Sequence, residues 1–455
     1  MGDHATRSFW LETAYTPGPP LEGDRSVDVA IVGGGFTGFW TAYFLKRSAP
    51  TMRIALIERE VVGYGASGRN GGFAMTLLNR GLNDMVQAFG ESAARDAHRA
   101  AAAAVDGIGT FTREHRVECH YEKTGLVALA SDPSQIPRIE AEYRQAERRG
   151  LAGFRFLDRT ALQASVHSPT YECGVREETC ALLDPARLVR GLRQVVGELG
   201  VEVFEATAVD EVRSESARVT IRTPNGIVRA DQAVLATNAY SVQFPQIHSY
   251  VIPIYSYIVL TEPLAPALWD AIGWKGREGL EDRRTYLHYY RPTSDGRILF
   301  GGEDAPYFYG SSIAPSHDRN PEVFARLKHD LHRTFPPLAD VRFTHAWGGP
   351  VGLTVRFVPT FGTLEGGRVH YGFGYCGHGV GPTHLGGQIL ADLVIGTRTE
   401  RTDLCFVRTT ALPFPPEPLR WLGVTAARRA LLRQDREQRT KDDPWIVRTM
   451  MRFGG

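Results

Sequence analysis

The feature that most constrains this chain is a glycine-rich turn near its N-terminus. Residues 27–32 form a short apolar run typical of a strand, and Gly33, Gly35 and Gly38 follow in G-x-G-x-x-G spacing before a helical pattern. A second apolar run ends at Glu58, twenty residues after the last of these glycines. This order of strand, glycine turn, helix and strand predicts a parallel βαβ unit and therefore an α/β fold.

Each position of the motif has a separate physical role. Gly33 permits the tight turn, Gly35 lets backbone N–H groups approach a pyrophosphate, and Gly38 lets the helix pack against the strand. The helix N-terminus supplies positive potential, and Glu58 is placed to accept the hydrogen bonds of a ribose diol. Because an acid at this position repels a 2′-phosphate, NADP is disfavoured. The motif predicts a dinucleotide site, without distinguishing FAD from NAD.

Composition excludes several other classes of protein. The chain has 455 residues, enough for two or three domains, and its 52 Lys+Arg against 51 Asp+Glu leave a net charge of +1, which argues against a nucleic-acid-binding protein. No run is long and apolar enough to cross a membrane, and the first residues lack the apolar core of a signal peptide, so a cytoplasmic location is expected. The five cysteines form no CxxC pair, so no metal site is predicted.

Two more glycine clusters lie far along the chain. They read GYGASGRNGG at 63–72 and GFGYCGHGVG at 372–381, and between them the segment 234–240 reads VLATNAY. Together with the first turn, these segments resemble flavoproteins of the D-amino-acid oxidase type, which include glycine oxidase, sarcosine oxidase and γ-glutamylputrescine oxidase. The resemblance covers residue 27 to about residue 397 and implies FAD as the cofactor.

The resemblance also implies the fold and its division. We expect a Rossmann-like FAD-binding domain of the glutathione-reductase type, interleaved with an α+β substrate domain built on an antiparallel sheet. The FAD-binding domain is assigned to 27–80, 151–240 and 340–400, and the substrate domain to 81–150 and 241–339. Residues 1–26 are expected to form an N-terminal arm, and 401–455 a basic C-terminal extension that packs on the body or on a partner subunit.

Cofactor contacts follow from the same resemblance. The second cluster is expected to run beside the pyrophosphate and the isoalloxazine, Val209 to recognise adenine through its backbone, and Thr237 and Asn238 to contact the ADP half. The predicted cofactor-binding set is Gly33, Gly35, Phe36, Thr37, Gly38, Glu58, Arg59, Gly65, Ala66, Ser67, Arg69, Asn70, Gly71, Gly72, Val209, Thr237, Asn238, Gly349, Gly374, Gly377, His378, Gly379, Val380 and Gly381.

The third cluster has a mechanistic role that follows from physical chemistry. Pro382 suits the first turn of a helix, so Gly377–Gly381 direct a helix N-terminus, with its unpaired N–H groups, at whatever lies in front of it. A reduced flavin carries negative charge around N1 and the C2 carbonyl. We therefore predict that Gly379, Val380 and Gly381 face this edge, and His378 is either an additional catalytic group or simply a packed residue of the turn.

In the family that the chain resembles, the C–H bond next to an amine delivers hydride to flavin N5, and water hydrolyses the resulting imine. The expected substrate is a small amine, an amino acid or an aminophosphonate, and the electron acceptor is oxygen or another acceptor such as a quinone. The predicted catalytic residues are His378, Tyr257, Tyr290 and Arg69. The predicted substrate-binding residues are Tyr255, His288, Arg291, Trp347 and Arg356.

Two departures from the family refine this expectation. Relatives often have an acid in the segment after WGG where this chain has Arg356, which favours an anionic amine, since arginine binds carboxylate or phosphonate with two hydrogen bonds. Cys376 does not occupy the position of the flavin-linking cysteine of sarcosine oxidases, so we expect FAD to be non-covalent and to leave the protein on acid precipitation.

Two other functions remain open from the sequence. One is a flavin-binding subunit or assembly protein without turnover of its own, in which the basic extension docks a partner. The other is an NAD-linked oxidoreductase, which would lack flavin absorbance. The sequence leaves the oligomeric state open.

Overall fold

A computed structural model describes residues 7–215, 217–364, 366–407 and 409–437. Residues 1–6 of the predicted arm, and Arg408 with residues 438–455 of the predicted extension, lie outside the described residues.

The helices are distributed along the whole described chain. They are α1 (Phe36–Ser48), α2 (Leu82–Phe89), α3 (Glu91–Glu114), α4 (Ile136–Arg148), α5 (Arg159–Ser165), α6 (Pro185–Glu198), α7 (Pro266–Ile272), α8 (Pro321–Thr334), α9 (Pro382–Ile395) and α10 (Leu419–Arg436).

The strands form two large sheets and one small one. They are β1 (Arg25–Val32), β2 (Ile54–Ile57), β3 (Phe73–Ala74), β4 (Leu126–Ala130), β5 (Phe154–Leu157), β6 (Cys173–Glu177), β7 (Ala181–Leu182), β8 (Glu202–Phe204), β9 (Glu211–Ser214), β10 (Val219–Thr223), β11 (Gly226–Leu235), β12 (Ile252–Thr261), β13 (Gly279–Asp282), β14 (His288–Pro292), β15 (Ile298–Gly302), β16 (Phe343–Leu353), β17 (Thr360–Thr363) and β18 (Val369–Phe373).

The first sheet contains the predicted βαβ unit. Its strand order is β17-β18-β11-β1-β2-β8, with β10 and β9 continuing from β11, and the strands from β18 to β8 are parallel. Helices α1, α6 and α9 pack on one face, joined by the alanine-rich face of α3. The buried strands read as continuous apolar runs because both faces of a parallel sheet are covered. The predicted α/β fold is therefore confirmed.

The second sheet has the order β16-β12-β15-β14-β13-β4-β6-β5 and is antiparallel except where β13 and β4 run parallel. One face packs against α8, whose Val323, Leu327 and Leu331 are buried, and the other face looks toward the first sheet. The pairing differs from the predicted division at two places. β5 and β6, within 151–240, and β16, within 340–400, all belong to the second sheet. These pairings join segments distant in sequence, which local pattern does not report.

Two local features of the helices are decided by the structure. The alanine-rich segment after residue 81 is two helices, because Gly90 has φ of +87° and ends α2. The C-terminal extension includes α10, which packs on the body. None of the helices in the described ranges combines the length and the hydropathy needed to span a lipid bilayer.

Candidate functional site

A cavity of about 930 Å³ runs between the two large sheets and brings all three glycine clusters together. Residues 33–37 of the first turn, 65–67 and 69–71 of the second cluster, and 377–380 of the third all line it. Val209, Thr237, Asn238 and Gly349 line the same cavity, as do Glu58 and Arg59. Most of the predicted cofactor set thus lies around one space, and its contacts with FAD remain a prediction.

The first turn presents glycine backbone to the cavity, as phosphate binding requires. Gly33 has φ of +116°, and a Cβ on Gly35 would lie 2.9 Å from Ser67 Oγ. Ser67 Oγ itself accepts a hydrogen bond from Phe36 N at 2.9 Å, which joins the first and second clusters. Because α1 begins here without a capping side chain of its own, its positive end faces the cavity.

Glu58 directly follows β2 and lies on the cavity wall, as the ribose role requires. Its carboxylate accepts hydrogen bonds from Gly34 N at 2.7 Å and Glu60 N at 3.0 Å. Burial raises the pKa of Glu58, and these two donors act in the opposite direction. The turn, the N-terminus of α1 and this acid together fit the ADP part of FAD.

The third cluster is held in place by its neighbours. Asn238 Oδ1 accepts a hydrogen bond from Gly374 N at 3.0 Å, which ties the cluster to the end of β11. His378 lines the cavity with its Nδ1 3.1 Å from Asn79 Oδ1, and burial lowers its pKa, which favours the neutral imidazole. An added Cβ on Gly377 would meet no atom within 4 Å. The backbone of Gly377 nevertheless has φ of +95°, a conformation that favours glycine.

Four predicted cofactor glycines do not lie on the cavity wall. At each of them an added Cβ would collide with neighbouring protein atoms, so their role is packing. The Cβ would lie 2.0 Å from Gly33 O at Gly38, 2.1 Å from Leu183 O at Gly72, 2.2 Å from Thr354 Cγ2 at Gly374, and 2.4 Å from Met75 O at Gly381. These positions shape the turns rather than the surface presented to a ligand.

Most of the predicted catalytic and substrate-binding residues on β12 and β14 face away from the cavity. Tyr257, His288 and Tyr290 point into the core under α8, where the Tyr290 hydroxyl is 2.8 Å from that of Tyr171. Tyr255 packs in that core and also reaches the cavity wall. Because side chains alternate along a strand, the cavity instead receives Tyr289, one residue over.

His288 is part of a buried ion network rather than a substrate site. Its Nδ1 lies 3.0 Å from Asp282 Oδ2, and its Nε2 lies 3.2 Å from Glu303 Oε2. Burial opposes its charge, but the two carboxylates prevail and raise the pKa of His288 to about 9. The predicted substrate role of His288 is therefore corrected.

Of three other predicted substrate contacts, Arg291 and Trp347 have structural partners. Arg291 is buried and donates to the carbonyls of Leu183, Gly72 and Gly71. Trp347 Nε1 donates to the carbonyl of Arg69 at 2.8 Å. Neither lies on the cavity wall, and neither does Arg356.

Arg69 does line the cavity, but its charge is already neutralised. Its Nη1 lies 2.8 Å from Asp318 Oδ2, and its Nε donates to Tyr64 O at 2.8 Å. The guanidinium also stacks 4.7 Å above the Tyr64 ring. It therefore shapes the wall beside Gly349 and has no free bidentate face for a substrate anion.

The structure shows cavity residues that sequence reasoning missed. They include Tyr289, Glu177, Glu281 and Arg80. Only the strand alternation around β14 offered a signal for Tyr289. The others depend on how β6, β13 and the segment after β3 are placed against each other.

The comparisons with known proteins agree with this geometry. Residues 28–393 match the model of the family described as FAD dependent oxidoreductase, DAO. The chain is 30% identical over 421 residues to gamma-glutamylputrescine oxidoreductase of Escherichia coli (strain K12), covering 91% of this chain and 94% of that protein. It is 31% identical over 403 residues to the probable oxidoreductase OrdL of Rhizobium meliloti (strain 1021), covering 87% and 89%.

Solved structures show the same fold. Glycine oxidase from Geobacillus kaustophilus superposes with a TM-score of 0.71 at 18% identity, covering 85% of this chain and all of that one. L-proline dehydrogenase from P. horikoshii gives 0.69 at 17% identity, covering 83% and 96%. The cavity with its three glycine clusters and the family match over most of the chain lead to one conclusion: this chain belongs to the FAD-dependent oxidoreductase family of the DAO type and is an enzyme with FAD as its cofactor.

Proposed function

We propose that the enzyme oxidises the C–H bond next to the nitrogen of a small amine that also carries an anionic group, such as an amino acid or an aminophosphonate. One observation carries this proposal. The wall of the cavity that begins at the dinucleotide turn also includes a carboxyl group, that of Glu177, and an arginine, Arg80, that forms no ion pair within the described residues. The names of similar proteins, which include gamma-glutamylputrescine oxidoreductase and glycine oxidase, support an amine or amino acid as the substrate class.

When bound, FAD supplies a hydride acceptor at N5, and the imine product hydrolyses in water. The residues of the chain have to exclude bulk water, orient the amine and favour its neutral form. Tyr289 contributes a flat apolar surface beside Gly71, and its hydroxyl is 3.1 Å from Ser256 Oγ. Burial raises the pKa of Tyr289 to about 12, so it stays a neutral phenol.

Glu177 is placed to receive the amine. It ends β6 on the cavity side of the sheet, and the Thr76 hydroxyl donates to its Oε1 at 2.5 Å. Burial raises the pKa of Glu177 to about 7. A carboxyl with this pKa binds an ammonium group when ionised and can take a proton from it near neutral pH.

We expect the pH dependence of substrate binding to report this group. Below about pH 7 Glu177 is neutral, so a cationic amine should bind weakly, and affinity should rise as pH increases through about 7. Glu177→Gln should remove that rise and weaken binding about tenfold at pH 8, since a charge-assisted hydrogen bond is lost. Anaerobic stopped-flow flavin reduction at varied amine concentration gives the dissociation constant. The exposed neighbour Glu178→Gln is the control, and the same pH profile in both variants would contradict the role.

Arg80 is an exception among the arginines that line the cavity. Six others each have a carboxylate within 4 Å: Arg59 with Glu60, Arg69 with Asp318, Arg138 and Arg283 with Glu142, Arg284 with Asp282, and Arg428 with Asp304. Within the described residues, Arg80 has no such ion pair, and its Nε and Nη2 are buried without a hydrogen-bond partner.

The surroundings of Arg80 favour an anionic ligand. Only 9% of this residue is exposed. Burial lowers its pKa, Asp84 acts in the opposite direction, and the charge of Arg356 lowers it further. Two arginines near one another with one acid leave a local positive excess. A carboxylate or phosphonate on the substrate would accept hydrogen bonds from the guanidinium nitrogens of Arg80 that lack partners.

Arg80→Gln is expected to discriminate between substrates by charge. For an amine with a carboxylate or phosphonate, the dissociation constant should rise about tenfold or more, because a charged hydrogen bond is worth ~1.5–3 kcal/mol. For a neutral-tailed amine of similar size it should change little. The exposed Arg99→Gln on α3 makes the same charge change away from the cavity. An equal loss for both kinds of amine, or a loss of FAD, would assign Arg80 to the cofactor instead.

The activity itself is tested by an anaerobic panel of primary and secondary amines, amino acids and aminophosphonates, scored by loss of the flavin absorbance band. Reduction by at least one anionic amine is expected. If no member of the panel reduces the flavin, the chain is better described as a flavin-binding subunit. Repeating the active case with oxygen and with a quinone identifies the electron acceptor.

A further inference from the structure

The C-terminal helix α10 lies outside residues 28–393, which the family model matches, yet it forms part of the cavity wall. Val424, Ala427, Arg428 and Leu431 line the cavity. These positions follow i, i+3, i+4, i+7 spacing and therefore occupy one face of the helix. We propose that α10 is a size-selecting wall of the substrate chamber, an inference that rests on the proposed amine oxidation.

The middle and the end of α10 are fixed to the second sheet by charged groups. Arg428 forms an ion pair with the buried Asp304, with Nη2 2.5 Å from Oδ2. The carboxylate of Asp435 accepts hydrogen bonds from the backbone N–H groups of Thr285 and Tyr286, each at 2.8 Å. Asp304, Thr285 and Tyr286 line the cavity themselves, so these contacts join α10 to the existing wall.

The start of α10 is fixed as well. Glu417 accepts hydrogen bonds from the Tyr307 hydroxyl at 2.6 Å and from Gly310 N at 3.1 Å. Arg420 Nη1 donates to Ser311 Oγ at 3.1 Å. A helix held at its start, middle and end has a defined position, which a selective wall requires.

The two faces of α10 differ in solvent exposure, as expected if one face lines the cavity. Ala427, on the cavity side, is 8% exposed, whereas Leu419 and Leu422 are 62% and 53% exposed. Ala426 is also exposed. Since Ala427 is the smallest side chain on the cavity face, it sets how far a substrate can extend toward the helix.

The matched pair Ala427→Phe and Ala426→Phe tests the proposal. The first places a ring in the chamber, and the second places the same ring in solvent from the adjacent position. Anaerobic flavin reduction is measured with amines of increasing length, from methylamine to hexylamine, and with the matching ω-amino carboxylates from glycine to 6-aminohexanoate. In Ala427→Phe the longest member that still reduces the flavin should become shorter, with about a tenfold or greater loss at the limiting length. Ala426→Phe should match the parent enzyme.

A second measurement does not depend on turnover. Asp435→Ala removes the contact that holds the end of α10, and quenching of flavin fluorescence by acrylamide reports solvent access to the holoenzyme cavity. Quenching should increase in Asp435→Ala and decrease in Ala427→Phe. Equal length profiles in the two phenylalanine variants, together with unchanged quenching, would overturn the proposal. Altered quenching in an enzyme that no amine reduces would retain the wall and reject the amine substrate.

Discussion

Gly35→Val is expected to give a protein that folds but purifies without its yellow colour. The new Cβ would lie 2.9 Å from Ser67 Oγ, and the two added methyl groups would occupy the space in front of the α1 N-terminus. Backbone N–H groups could then no longer approach a pyrophosphate. We expect FAD affinity to fall about 100-fold or more, which corresponds to ~2.7 kcal/mol.

The measurement is the flavin absorbance of the purified protein, followed by fluorescence titration of the apoprotein with FAD. Gly197→Val is the matched control, because a Cβ there meets no atom within 4 Å on the exposed face of α6. If Gly35→Val binds FAD as the parent does, the first turn does not hold the pyrophosphate.

Arg291→Met is expected to lower both stability and FAD retention. Arg291 Nη1 donates to Leu183 O at 2.7 Å and Gly72 O at 3.0 Å, and its Nε donates to Pro292 O at 3.1 Å. Burial lowers the pKa of Arg291 to about 10, so its removal relieves some cost of burying a charge. The carbonyls left without donors outweigh that relief, and we expect unfolding free energy to fall by about 2–4 kcal/mol.

Thermal unfolding of the holoenzyme and its FAD content measure this effect. Loss of FAD is expected because Gly72 belongs to the second glycine cluster, and the Arg291 contacts fix the path of its backbone. Arg291→Lys should restore part of the stability, since an ammonium donates to fewer carbonyls. Arg155→Met, on the exposed side of β5, is the control. A variant as stable as this control would show that the carbonyl contacts contribute little.

Local pattern predicted more of the first sheet than of the second. In the first sheet β10 and β11 pair antiparallel with Thr223 opposite Gly226, as the turn-forming pair Asn225-Gly226 favours. In the second sheet, the family resemblance and the aromatic content of the strands predict Tyr257 and Tyr290 as site residues, and not Tyr289. The aromatic content of a strand does not reveal which of its faces is buried, because a one-residue change in register exchanges the two faces.

The arginines illustrate the same limit. Arg69, Arg291 and Arg356 are the arginines that the sequence predicts at the catalytic and substrate-binding site, and Arg80 is not among them. Availability for a ligand depends on whether a carboxylate already neutralises the group, as Asp318 does for Arg69. Such partners come from distant segments, and nothing near an arginine in sequence reports them.

The sequence by itself determined the βαβ unit, the dinucleotide turn and the resemblance that implies FAD, because strand period, glycine spacing and helix starts are local properties of the chain. Only the tertiary structure decided which side chains share the cavity with the three clusters, that Glu177 and Arg80 are among them, and that α10 closes one wall. Those choices depend on strand register and on contacts between segments hundreds of residues apart, as between Arg69 and Asp318.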